Sequence, residues 1–248
     1  MKILEVCVDS LVSARYAVKG GADRLELCSA LAVGGLTPYA ALLRQIREET
    51  DVPIHCLMRH RAGDFLYSQD ELDLLRRQIL ELKEAGADGF VIGCLSADGG
   101  LDRQAMKVLI NSCGDRRITL HRCIDVSKDL ERTYLDAMEL GIDTVLTSGG
   151  ANSCMAGKSI IERLINLRDS VGGPEVLVGA GVNAGVIAAF RSEIPGVRAF
   201  HMSGKTEVES GMCFRKEGVP MGLPGLDEWH IQQTDLEAIR AAKKALDA

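Results

Sequence analysis

The sequence predicts an α/β fold: a single (β/α)8 TIM barrel over residues 1–248, with a long loop after strand 8 and a C-terminal helix. Short apolar runs rich in β-forming residues alternate with amphipathic segments, the pattern of parallel strands joined by crossover helices. Eight such runs can be counted, whereas a flavodoxin-like open sheet needs only about five or six. The length of 248 residues also suits the fold, since one closed barrel of this kind commonly fills about 250.

In order, the strands are expected at 3–8, 24–28, 54–59, 89–93, 118–121, 144–147, 176–178 and 199–202. Thr37-Pro38 starts a helix over 39–49, and a second helix over 69–85 repeats Leu72, Leu75, Ile79 and Leu82 at helical spacing. Gly20, Gly86 and Gly141 follow helical stretches and read as C-caps. Gly21-Ala22-Asp23, Gly86-Ala87-Asp88 and Gly141-Ile142-Asp143 are one turn used three times, each opening a strand. After strand 8, residues 204–225 read as a long loop, followed by a helix near 234–246. Met212, Phe214, Val219, Met221 and Leu223 in that loop are exposed unless something covers them, so a homo-oligomer is expected.

Composition narrows the function. The net charge is −6 with no basic block, which gives no electrostatic basis for a nucleic-acid or anionic-membrane partner. The opening MKILEVCVDS does not read as a secretory signal, and no stretch reaches the roughly 18 apolar residues of a membrane span. The eight cysteines are spread over the chain without a C-x-x-C pair, as reduced thiols of a cytoplasmic protein would be. No organic cofactor is expected.

Barrel interiors are normally filled by branched apolar side chains, but here one strand parity is polar. Glu5 and Cys7 share a face, as do Arg24, Glu26 and Cys28, then Thr119 and His121, and then His201 and Ser203; Arg59 and Thr147 end their strands. Arg24, Glu5 and Glu26 also suit a buried structural ion network. Residues at strand C-terminal ends are the stronger ligand candidates. His121, Arg122 and Asp125 surround one strand exit with a general acid or base, an anion clamp and a carboxylate, and are the candidate catalytic group. Arg59, Arg61, Asp64, Thr147, Ser148 and His201 join Glu5 and Glu26 as ligand-binding candidates. Gly179, Gly181 and Ser203 lie in glycine-containing loops after strands 7 and 8, where barrels hold phosphate and where a sharp structural turn gives the same pattern.

Cys7 and Cys28 occupy matching contexts, Leu4-Glu5-Val6-Cys7 and Leu25-Glu26-Leu27-Cys28, on adjacent strands about 4.8 Å apart. Two inward thiols at that spacing suit a two-coordinate soft ion such as Cu(I), and they equally suit plain buried hydrophobes.

Taken together, LEVCVDS at 4–10, GGADRLELCSAL at 20–31, GGLTP at 34–38, RAGDFLYS at 61–68, DGGLD at 98–102, HRCID at 121–125, VLTSG at 145–149, GAGV at 179–182 and FHMSG at 200–204 resemble the CutC family over nearly the whole chain. Here Cys123-Ile124 replaces an Ala-Phe typical of the family, and His60 replaces a proline. The resemblance implies a barrel, a cytoplasmic location, self-association and copper homeostasis with Cu(I) on Cys7 and Cys28. The alternative drawn from the residues themselves is a barrel enzyme acting on a small anionic metabolite at the C-terminal face.

Overall fold

Each of the eight expected apolar runs forms a strand, because its outward-facing residues find a helix to cover them. A computed structural model describes residues 2–216, 218–219, 221–222 and 227–248. The strands are β1 (Ile3–Val8), β2 (Arg24–Leu27), β3 (Ile54–Leu57), β4 (Gly89–Ile92), β5 (Arg117–Leu120), β6 (Thr144–Thr147), β7 (Glu175–Val178) and β8 (Ala199–Met202). All are parallel and pair in chain order, and β8 returns to β1 to close the barrel. The strands β2 to β4 end one or two residues earlier than expected, so Cys28, Arg59 and Gly93 lie just beyond them; β5 likewise stops before His121.

The helices are α1 (Leu11–Gly20), α2 (Ala40–Arg47), α3 (Gln69–Glu84), α4 (Arg103–Cys113), α5 (Leu130–Glu139), α6 (Lys158–Val171), α7 (Ala184–Glu193) and α8 (Leu236–Asp247). Leu72, Leu75, Ile79 and Leu82 form the buried face of α3, and a Ser68–Glu71 capping box starts it. The main core lies between strands and helices, with Leu4, Val6, Leu25, Leu27, Ile54 and Phe90 facing out toward residues such as Leu43, Ile46 and Leu75.

The thrice-used turn has a physical purpose. The carboxylates of Asp23, Asp88 and Asp143 each accept the amide hydrogen at the start of the preceding strand, from Leu4, Ile54 and Ile118, all at 2.8 Å. Their own amides donate back to the same three residues' carbonyls. Each aspartate therefore clamps two strand openings together at the N-terminal face. Gly86 and Gly141 follow the caps of α3 and α5 in the left-handed region, but the cap of α1 is Gly21, not Gly20. Gly20 is the last helical residue and lies against α8, where an added Cβ would come within 2.6 Å of the Cβ of Ile239.

The stretch 204–225 is not wholly irregular. Lys205–Glu209 forms β9, which pairs antiparallel with β10 (His230–Thr234), register Lys205 to Thr234 and His230 to Glu209. This ribbon is joined to the barrel by Ser13, whose Oγ accepts the Thr234 amide hydrogen at 3.2 Å. Met212, Phe214, Val219 and Met221 are exposed, and Leu223 lies outside the described residues. Among the described residues, no helix is long and apolar enough to cross a membrane.

Candidate functional site

The polar parity read from the sequence does face the barrel interior, and at the C-terminal end it opens into a cavity of about 510 Å³. Cys7, Glu26 and His201 line its floor. Arg59, Phe65, His121 and Arg122 line it on the β3 and β5 side, and Ala180, Gly181, Ser203 and Lys205 on the β7 and β8 side.

Below the floor, the fully buried Glu5 carboxylate accepts from Arg24 Nε at 2.5 Å and faces His201 Nδ1 at 2.7 Å. Burial opposes ionisation of Glu5, but the Arg24 charge and the contact with His201 hold its carboxyl well below the usual range. Burial pushes the Glu26 carboxyl up to about 7 against the pull of His201, with the Glu5 charge adding to the rise. Burial disfavours a charged His201, yet the neighbouring Cys7 and Glu26, with hydrogen bonds to Cys7 and Glu5, raise it well above the ordinary histidine value. Burial, reinforced by Glu26, pushes the Cys28 thiol well up.

One sulfur, one carboxylate oxygen and one ring nitrogen, from Cys7, Glu26 and His201, lie within 4.8 Å of one another. Cys28 is outside that group. The register explains why: Cys7 is level with Glu26 on β2, so Cys28 stands two positions higher, with its Sγ 3.7 Å from Glu26 Oε2.

On the wall, His121 Nδ1 accepts the Cys123 amide hydrogen at 3.1 Å, which leaves the ring proton on Nε2. That Nε2 is buried without a partner, and burial together with the Arg59 charge brings the ring down to about 3. Phe65 stacks on it with centroids 4.7 Å apart and carries the Arg59 guanidinium on its ring at 5.3 Å. Arg59 donates to the carbonyls of Val33, Gly35 and Gly63 at 2.9, 3.2 and 3.0 Å and makes no ion pair among the described residues.

Asp125 is saturated. It accepts from Thr147 Oγ1 at 2.5 Å, from the amides of Ser148 and Gly150 at 3.0 Å, from Ser148 Oγ at 2.9 Å and from Arg122 Nε at 2.7 Å. Arg122 also reaches Ser148 Oγ at 2.8 Å, so these four residues tie the loop after β5 to the loop after β6. Thr147 was expected inward, but it shares the outward parity of Val145, and Leu146 is the β6 residue that lines the cavity.

Arg61 and Asp64 pair with each other at 3.0 Å, Arg61 also binds Glu71 at 2.6 Å, and neither lines the cavity. Gly179 belongs to the barrel itself, its amide donating to the Thr147 carbonyl at 2.9 Å.

Two further residues of the interior, Phe65 and His55, do not stand out among the sequence motifs. His55 is buried on the inward face of β3, where burial and the Arg24 charge hold its ring down to about 4. Its parity with Arg59, four residues on, was the available signal. Two glycines, Gly89 in β4 and Gly93 just after it, make room for the imidazoles: a Cβ on Gly89 would lie 2.5 Å from the His55 ring, and one on Gly93 would lie 2.4 Å from that of His121.

The fold is a (β/α)8 barrel with a polar cavity at the C-terminal ends of its strands, the position such barrels use for binding and chemistry. The model of the CutC family matches residues 2–206, and the chain belongs to that family. It is 38% identical over 247 residues to a family protein CutC of Chromobacterium violaceum, covering 99% of this chain and 98% of the relative. It is 36% identical to the copper homeostasis protein cutC homolog of Homo sapiens, covering 96% and 86%. The crystal structure of CutC from Streptococcus agalactiae superposes with a TM-score of 0.76 at 26% identity, covering 82% of this chain and 99% of that one. Thiamine phosphate pyrophosphorylase from Pyrococcus furiosus, at 15% identity and a TM-score of 0.57 over 99% and 95% of the chains, shares the barrel fold.

Proposed function

We propose that the cavity binds a small anionic metabolite and that residues 1–248 act as one domain built to hold it, as an enzyme of the barrel's C-terminal face. The observation that carries this reading is that, among the described residues, the neutral His121 N–H has no hydrogen-bond partner and the neighbouring Arg59 has no carboxylate partner. A buried donor left unsatisfied costs about 1–3 kcal/mol, and a bound oxyanion or carbonyl oxygen would remove that cost. In this scheme Arg59 supplies charge and His121 donates a hydrogen bond, while Arg122, Asp125, Thr147 and Ser148 hold the two loops that shape the wall. Gly181, Ser203 and Lys205 face the ligand from the β7 and β8 side, with Gly179 setting that loop's origin. Arg61 and Asp64 brace the loop that brings Phe65 over His121.

Carboxylate and phosphate metabolites screened by thermal shift, together with native mass spectrometry of the purified protein, test the proposal. The expected result is a ligand that stabilises the wild type and is lost from His121→Ala and Arg59→Ala. A ligand held equally by both variants would overturn it.

Membership in the CutC family and the placement of Cys7 and Cys28 in one small interior cluster with Leu57 and Val91 support a second reading, Cu(I) bound by these two thiols. The eight free thiols support a cytoplasmic location for either activity.

A further inference from the structure

We propose that Cys7, Glu26 and His201 form a three-donor site for a divalent cation of the zinc type, with Glu5 as its orienting carboxylate and the fourth coordination position open to the cavity. Three neighbouring strands, β8, β1 and β2, each contribute one donor, and the three donor atoms already lie within 4.8 Å of one another. His201 Nε2 stands 3.7 Å from Glu26 Oε2, close to the separation of two ligands on one tetrahedral ion.

Glu5 supplies the independent observation. A histidine that ligates a metal through one nitrogen almost always gives its other N–H to a carboxylate, which fixes both tautomer and ring orientation. Glu5 Oε1 meets His201 Nδ1 at 2.7 Å, so Nε2 is the nitrogen turned toward Glu26. Glu5 is in turn held by Arg24 at 2.5 Å. That ion pair cancels its own charge, so the bound donors would be one thiolate, one carboxylate and one neutral imidazole. Their combined charge matches a divalent ion and leaves a buried excess of negative charge around a monovalent one. Mixed sulfur, nitrogen and oxygen donors with an open position also suit zinc or cobalt better than Cu(I), which prefers soft ligands. All three donor residues line the cavity, so a carboxylate or carbonyl oxygen of the ligand would take the fourth position. The identity of that fourth ligand rests on the anion-binding reading above; the three-donor site itself does not.

Reduced protein titrated anaerobically with Co2+ is expected to bind one equivalent, with a thiolate-to-cobalt charge-transfer band and the visible absorption of a four-coordinate ion. Cys28→Ser should keep both signals, His201→Ala should lose them, and Glu5→Gln should keep the band while weakening binding about 10- to 100-fold. X-ray absorption on zinc-loaded wild-type protein makes the test independent of whether the variants fold. One sulfur at about 2.3 Å with nitrogen and oxygen at about 2.0–2.2 Å supports the site. A two-sulfur shell, or the absence of stoichiometric binding, would overturn it. Anion binding is measured in parallel on chelator-treated protein: retention there with no cobalt site sinks only the metal proposal, and a cobalt site without anion binding sinks only the metabolite reading.

Discussion

His121 Nδ1 accepts the amide hydrogen of Cys123 at 3.1 Å, and this bond sets the tautomer of the neutral imidazole. With Nδ1 occupied and the ring buried beside Arg59, the histidine is a neutral donor, its proton affinity brought from 6.5 down to about 3. A ring in that state is suited to presenting an N–H, as a polarising group does, rather than to exchanging protons near neutrality, which is the role proposed for it above.

A stability prediction follows directly from that value. A histidine whose folded value lies below its unfolded one is protonated preferentially in the unfolded chain, so its effect is to lower stability as pH falls. For His121 the window runs from 6.5 down to about 3. Between pH 6.5 and about pH 5 the ring alone should cost roughly 2 kcal/mol. Urea unfolding of wild type and His121→Gln at a series of pH values measures it as a difference, which cancels the opposite trend of Glu26. Parallel curves for the two proteins across this window would show that the ring titrates normally.

Asp125 should behave as a structural clamp. Asp125→Ala removes five acceptor contacts and strands the Thr147 hydroxyl and the Ser148 amide, so a loss of about 3 kcal/mol is expected. Arg122→Ala, whose guanidinium end is partly in solvent, should cost about 1 kcal/mol or less. Denaturant midpoints at constant m-value test the pair, and equal losses from both variants would contradict the assignment.

The copper reading is open to a direct titration. Reduced protein should bind about one Cu(I) per chain against a competing chelator, if the two-coordinate thiol site is formed. Cys7→Ser combined with Cys28→Ser should abolish that binding. Unchanged affinity in the double variant removes these two thiols from the assignment.

Self-association is expected through the arm carrying β9 and β10. Phe214 is 74% and Met221 82% exposed, and Val208 and Ile231 on the paired strands are also exposed. Such apolar area on a surface arm marks an interaction surface. Sedimentation at micromolar concentration should show a species larger than the monomer, reduced toward the monomer by Phe214→Asp with Met221→Asp. Wild-type protein at monomer mass throughout that range would refute the idea.

The barrel was legible because its signal is local and repeated: apolar runs, helical spacing in α3 and a Gly-x-Asp turn need only neighbouring residues. The polar interior was legible as well, since side chains alternate along a strand and Glu5, Arg24, Glu26 and His201 share one parity. What alternation leaves open is the level at which residues on different strands meet, which barrel register sets. That register put Cys7 level with Glu26 and Glu5 level with His201, so that the Cys7, Glu26 and His201 side chains converge while Cys28 stands a layer above. Tertiary contact alone also decided the state of each ionisable group. His121 and His201 are both strand-end histidines of the same ordinary proton affinity, yet one is pushed down by burial beside a cation and the other is pushed up between Cys7, Glu26 and Glu5. Desolvation and partner charges set that difference, and both depend on contacts between residues far apart in the chain.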